Sequence, residues 1–258
     1  MNRSRPFPSA LASCAVFTLL AWAPLAAQAA HPLVTDDTGT QGDGNWQLEV
    51  NTDHTRTRDA GVTAWERQLN TTVTRGVADN LDVAANLPLL RNSVAGEGAQ
   101  SGVGDVTVQA KWRLYDNEKG WSLGLRPAAT LPTGSSSKGL GNGRATASVT
   151  LISNLEAGDW SWLANAGYTY NDNKFGDRKH LWAASTAVLF KASEQWTLAA
   201  DIGASRGAEP GGRRTEKFAL LGAIFHVNDK TDLDIGWRRS LGSKPVSNTV
   251  GVGLALRW

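Results

Sequence analysis

The chain has 258 residues with 26 basic and 24 acidic side chains, one cysteine and eleven tryptophans. A net charge of +2 argues against a nucleic-acid partner, which would call for a strongly basic face. No apolar run approaches the roughly 20 residues of a spanning helix, so a helical membrane anchor is not expected either.

The chain opens with Arg3 and Arg5, an apolar run from Ala15 to Ala23 and the small-residue site Ala27-Gln28-Ala29, the layout of a cleaved secretory signal. Residues 1–29 are therefore predicted to be removed. Cys14 follows a lipoprotein-like Leu11-Ala12-Ser13, but the main apolar run lies after it, so it is assigned to the discarded segment. Residues 30–258 then form one domain without cysteine, disulfide or thiolate metal site. Losing Arg3 and Arg5 also brings the formal charge to zero.

After a polar lead, His31 to Asp43, a strand is predicted over Asn45 to Thr57. It sets Trp46, Leu48 and Val50 on one face and Gln47, Glu49, Asn51 and Asp53 on the other. Beyond a turn at Arg58 to Gly61, the second places Trp65, Leu69, Thr71 and Val73 against Glu66, Gln68, Asn70, Thr72 and Thr74, with Arg67 interrupting the apolar row. The third carries Leu81, Val83, Ala85 and Leu87 outward, ends near Arg91, and leads into a Gly- and Ser-rich loop to Gly102. The fourth alternates Val106, Val108, Ala110, Trp112 and Leu114 with Thr107, Gln109, Lys111 and Arg113. The fifth returns with Trp121, Leu123, Leu125 and Leu131 outward and Arg126 inward, weakened by Pro127.

A loop over Pro132 to Gly143 precedes the sixth strand, with Ala147, Val149 and Leu151 outward. The seventh gathers Trp160, Trp162, Ala164, Ala166, Tyr168 and Tyr170 on one face; the eighth, Trp182, Ala184, Val188 and Phe190. The ninth sends Trp196, Leu198, Ala200 and Ile202 out and Asp201 in. In the tenth, about Glu216 to Val227, two faces compete, and Phe218, Leu220 and Ile224 are assigned outward over Leu221, Ala223 and Phe225. The eleventh points Leu233, Ile235 and Trp237 out and Asp232, Asp234 and Arg238 in. The last, Val246 to Trp258, keeps Val250, Val252, Leu254, Leu256 and Trp258 on one parity with no charge among them.

A greasy strand ending on tryptophan would aggregate in water, and in lipid the way to satisfy its edge is closure. The expected fold is all-β: an antiparallel, up-and-down transmembrane β-barrel of about twelve strands, spanning residues 30–258, in the outer membrane of a Gram-negative bacterium. Tight turns alternate with longer Gly-rich loops, as periplasmic turns alternate with outer loops. Under that assignment Trp46, Trp121, Trp160, Trp162, Trp196 and Trp258 fall near the periplasmic ends and Trp182 and Trp237 near the outer ends, giving two interfacial aromatic girdles.

Three stretches carry a family resemblance. They are Gly102-Val103-Gly104-Asp105-Val106-Thr107-Val108-Gln109-Ala110-Lys111-Trp112-Arg113-Leu114; Leu33-Val34-Thr35-Asp36-Asp37 followed by Gly42 to Val50; and Pro127-Ala128-Ala129-Thr130-Leu131-Pro132-Thr133-Gly134. The chain resembles the outer-membrane family named after the meta-pathway of phenol degradation. The resemblance implies a transporter-like barrel, without a defined substrate and without catalytic residues.

The function expected is passive uptake of small solutes, aromatic or hydrophobic ones among them. Lys111, Arg113, Arg126, Asp201, Asp234 and Arg238 are the candidate pore-lining residues, because inward charges at a constriction select what passes. Their competing role is to pair with one another as scaffold in a filled lumen. Catalytic residues, metal and cofactor are not expected. Partners expected are outer-membrane lipid, the barrel-insertion machinery acting on the closing strand through Trp258, and the solute. The alternatives are a structural surface barrel without transport, and a lipid-modifying enzyme using a rim histidine such as His180 beside Ser185.

Overall fold

The computed structural model describes residues 31–211, 215–242 and 245–258; the predicted signal, residues 1–29, lies outside them. Among the described residues thirteen strands follow one another. They are β1 (Trp46–Asp59), β2 (Val62–Ala78), β3 (Leu81–Val94), β4 (Gln100–Val103), β5 (Val106–Asp116), β6 (Trp121–Leu131), β7 (Thr146–Ala157), β8 (Trp160–Tyr170), β9 (His180–Lys191), β10 (Trp196–Arg206), β11 (Thr215–Asn228), β12 (Thr231–Leu241) and β13 (Val246–Arg257).

Apart from β4, which pairs with β3 alone so that β3 also pairs with β5, each strand pairs antiparallel with its sequence neighbours, and β1 pairs with β13 from Gln47 opposite Arg257 to Arg58 opposite Val246. The sheet therefore closes into a twelve-strand barrel. The short β4 is an addition, lying along the last residues of β3 where the sequence suggested only loop. Closure leaves no edge and satisfies the ladder amides within the wall, the condition a sheet must meet in hydrocarbon.

Side-chain parity follows the alternation. On β13, Val250 and Val252 are 49% and 46% exposed, whereas Ser247 and Thr249 between the same neighbours are 7% and 4% exposed. Polar groups are inside and apolar groups outside, the reverse of a soluble protein.

β11 corrects the sequence assignment. Leu220 faces the lumen opposite Asp201 and Arg238, and Leu221 faces out opposite Ala200 and Trp237. The exposures agree, 5% for Leu220 and 60% for Leu221, so Phe218, Leu220 and Ile224 point inward and Leu221, Ala223 and Phe225 outward.

The two rims differ. At one, here the turn end, the connections are residues 79–80, 117–120, 158–159, 192–195 and 229–230; at the other, the loop end, they reach residues 132–145 and 171–179. Besides register shifts at Gly76/Ala78, Arg113/Tyr115 and His226/Asn228 near the turn end, the pairing of β5 with β6 skips from Gln109–Ala128 to Trp112–Leu125, beside Pro127, which has no amide proton to donate.

Candidate functional site

The polar lead is not a tether outside the barrel. Residues 31–45 thread the lumen from its middle to the turn end and fill it. At the inner end, the imidazole of His31 lies between the carboxylates of Asp234 on β12, to which it hydrogen-bonds, and Asp53 on β1. Pro32 lies over Gly222 and Gly236; a β-carbon at either would come within 2.6 Å of the proline ring. Leu33 enters a dry cluster with Leu163, Ala187, Ala199 and Leu220, flanked by Val34, Leu189 and Phe218. This explains β11: its inward face is apolar because an apolar part of the plug packs on it.

The next residues form the polar heart of the site. The backbone N–H groups of Val34 and Thr35 both donate to Asp201 Oδ2 at 2.8 Å, and Thr35 Oγ1 bonds Asp201 Oδ1 at 2.8 Å and Ser185 Oγ at 2.7 Å. Asp36 is almost wholly buried and accepts from Arg126 at 2.6 Å and from Lys111 Nζ at 3.3 Å. Lys111 also approaches Asp37 at 3.6 Å. Asn165, with its amide oriented to suit the network, closes on the N–H and C=O of Asp36 at 2.7 and 3.0 Å. A buried carboxylate costs several kcal/mol to desolvate unless it is paired and fully hydrogen-bonded. Asp36 meets that condition only while the plug is in place.

Toward the turn end, Thr38 Oγ1 meets Ser122 Oγ at 2.5 Å and the N–H of Gln41 donates to both oxygens of Asp82 at 3.1 Å. The segment then joins the wall: Gly44 N–H donates to Gly76 C=O at 3.1 Å, and Gly76 N–H to Asn45 C=O at 2.9 Å. Gly76 is required there, since a β-carbon would lie 1.8 Å from the carbonyl oxygen of Gly42. A cavity of about 50 Å³ remains between plug and wall, bordered by Asp36, Glu49, Asp82, Gln109 and Lys111 among others, room for a few waters.

Of the six residues read as pore-lining, four touch the plug: Lys111 and Arg126 through Asp36, Asp201 through Val34 and Thr35, and Asp234 through His31. Arg238 faces the lumen on the same level as Leu220 and Thr249. Arg113 is elsewhere. It sits at the turn-end rim, 3.8 Å from Asp116 and donating to the Asp79 carbonyl. The rim pair considered for catalysis does not form: His180 faces out and bonds the Tyr168 hydroxyl at 2.7 Å, whereas Ser185 faces in toward Thr35. The sequence leaves open whether the segment His31 to Asp43 plugs the lumen; the structure places it there, and the apolar Leu33-Val34 inside an otherwise polar lead is the signal for it.

The three motif stretches meet in space. Lys111 of the first holds Asp36 of the second. Asp105 of the first accepts from Gly134 N–H of the third at 2.8 Å and from Asn142 N–H at 2.7 Å, pinning the 132–145 loop over the barrel. Residues 29–258 match the family model described as putative MetA-pathway of phenol degradation. The chain belongs to that family. No curated protein sequence matches it. Among solved structures, an outer-membrane channel from Pseudomonas putida F1 is similar at a TM-score of 0.72 and 19% identity, over 86% of this chain and 98% of that one. The KdgM porin in complex with oligogalacturonate aligns at 0.57 and 8% identity, over 81% and 98%. The translocator domain of the autotransporter NalP from Neisseria meningitidis aligns at 0.56 and 11%, over 82% and 88%. At these identities the likeness is one of fold.

Proposed function

We propose that the protein is an outer-membrane channel for passive uptake of small solutes, aromatic or hydrophobic ones among them, whose resting lumen is closed by its own N-terminal segment. The observation that carries this reading is the lumen itself: polar in lining, and wide enough to be threaded by the fifteen residues His31–Asn45. Side chains alone fill an eight-strand barrel, while sixteen strands leave open water. Twelve strands with a removable occupant stand between. The family's name, with its reference to phenol degradation, supports an aromatic solute.

In this reading the turn end faces the periplasm and the loop end the exterior. Residues 1–29 direct export, and the insertion machinery takes hold of the closing strand that ends at Trp258. Trp46, Trp121, Trp160, Trp162, Trp196 and Trp258 anchor the periplasmic interface, and Trp182 and Trp237 the outer one. All eight are exposed on the outward wall, between 37% and 58%. Withdrawal of the plug would leave Lys111, Arg126, Asp201, Asp234 and Arg238 lining water of mixed charge, with Arg113 at the periplasmic mouth.

Catalysis is not part of the proposal. Thr197 Oγ1, His226 Nε2, His226 Nδ1 and Asp232 Oδ1 are linked at 3.0 and 2.7 Å in the order of a nucleophile, a base and an acid. However, Arg257 clamps the other oxygen of Asp232 at 2.7 Å and bonds Gln47 at 2.8 Å, which makes the group a brace across the barrel seam. The amides of β10 and β11 are committed to the ladder, so none is left to stabilise an oxyanion.

The test is conductance in planar bilayers. The full mature chain should be mostly silent, and a variant lacking residues 31–41 should show frequent discrete steps and faster solute flux into liposomes. Silence of the deletion variant, once inserted, would overturn the channel reading in favour of a structural barrel.

A further inference from the structure

The outward wall is apolar around most of its circumference, but across six neighbouring strands it ends in a belt of cations carried by five of them, with Asn248 of β13 between. The register sets Arg91 of β3 opposite Arg67 of β2, and Arg67 opposite His54 of β1. Two residues nearer the loop end, Arg56 of β1 lies opposite Asn248 of β13, and Asn248 opposite Arg239 of β12. Lys217 continues the belt on β11, opposite Leu241. All six cationic or imidazole side chains are exposed, and among the described residues none of the arginines or Lys217 takes part in an ion pair. Arg67 finds only the ring of His54, at 3.3 Å. These six strands carry no outward-facing acidic residue.

Like charges placed directly opposite across a sheet repel. An arginine facing hydrocarbon at mid-membrane is worse, and one at the interface costs little. The level of the belt resolves this. One row toward the turn end lie Leu89, Leu69, Thr52 and Val252, opposite one another in turn, and the apolar band continues below them. The 17-residue β2, at about 3.3 Å per residue and about 40° of tilt, climbs about 43 Å, while the hydrocarbon band is about 25 Å tall. The loop end of these strands thus stands above the hydrocarbon, and the belt falls where it stops, at headgroup height. The opposite half of the barrel differs: there the outward rim of β8 and β9 offers Tyr168, Tyr170, His180 and Trp182, with no lysine or arginine.

We infer that the outward face of β11, β12, β13, β1, β2 and β3 at the loop end is a binding site for a phosphate-bearing lipid of the outer leaflet. The acyl chains would lie on the apolar band and the phosphates would be gripped by the arginine rows. Guanidinium suits this ligand because its planar fork takes two phosphate oxygens at once, and an anion between Arg91 and Arg67 converts their repulsion into attraction. The inference rests on the outer-membrane reading above.

The test uses the mature protein in phosphatidylcholine nanodiscs doped with diphosphoryl lipid A or with its dephosphorylated form, bound copies being counted by native mass spectrometry. Wild type should retain the phosphorylated lipid preferentially. The double variant R67Q/R91Q should lose on the order of 30-fold in affinity, as should R239Q/K217Q on the far side of the belt. Equal retention of both lipids, binding unchanged in both variants, or complete displacement by millimolar inorganic phosphate would each overturn the lipid site. Failure of the wild type to enter nanodiscs would overturn the membrane reading as well, so the two failures are distinguishable.

Discussion

The inside and the outside of this wall are built from the same strands, one residue apart, and they are held by opposite means. Outward, Val250, Val252, Leu221 and Ile235 are about half exposed and meet a uniform surrounding. Inward, Lys111, Arg126, Asp201, Asp234 and Ser185 each hold a particular group of the plug. A uniform solvent tolerates substitution wherever polarity is kept; a lock of particular pairs does not. Changes inside should therefore alter how often the lumen is closed, and changes outside should leave closure alone.

The largest effect is expected from Asp36→Ala. It removes the carboxylate that Arg126 and Lys111 share while the plug is seated, and Lys111 keeps only the longer contact to Asp37; the loss is about 3–5 kcal/mol, as for one member of a buried ion pair. In the open state both cations are hydrated, so the whole loss falls on closure. Single-channel records should change from mostly closed to mostly open. A closed Asp36→Ala channel that still inserts and resists SDS would contradict the latch.

Leu33→Ala comes next. Removing the side chain from the dry cluster formed with Leu163, Ala187, Ala199 and Leu220 should cost about 2–4 kcal/mol, raising the open fraction on the order of 30-fold or more. Asp201→Asn should do less, about 1.5–3 kcal/mol. The amide still accepts hydrogen bonds, but it no longer accepts three as a charged group from Val34, Thr35 and the Thr35 hydroxyl. Its open fraction, read in the same records, should lie between those of wild type and Leu33→Ala.

The same contrast explains what could be read from the sequence. Period-two alternation survives wherever one side meets a uniform medium, and so the strands, their count around the barrel and their closure by β13 were legible down to single residues such as Trp112 and Val252. The plug has no period to betray it. Its partners lie 203 residues away for His31 and Asp234, 166 for Thr35 and Asp201, and 75 for Asp36 and Lys111. Inward parity singled out Lys111, Arg126, Asp201 and Asp234, yet whether they face water or chain depends on where residues 31–45 go. Arg113 shares that parity, but it lies past the point where the β5 ladder resumes and so falls on the rim.

β11 failed for a related reason and supplies the smallest prediction. Phe218, Leu220 and Ile224 compete in the sequence with Leu221, Ala223 and Phe225 for the outward face because both rows are apolar, and they are so because Leu33 and Val34 pack against the inward one. Leu221→Ala trims an outward side chain that lies beside Ala200 and Trp237 and makes no contact with the plug, so the open fraction should change by less than about twofold, well under 1 kcal/mol. Leu220→Ala, one residue away, removes part of the cluster and should behave like Leu33→Ala. A nitroxide on Leu221→Cys should also collide with oxygen dissolved in the bilayer, and one on Leu220→Cys should be shielded from it. Swapped outcomes for the two positions would restore the opposite register for β11 and move Leu33 away from Leu220, which would leave the apolar part of the plug without its seat.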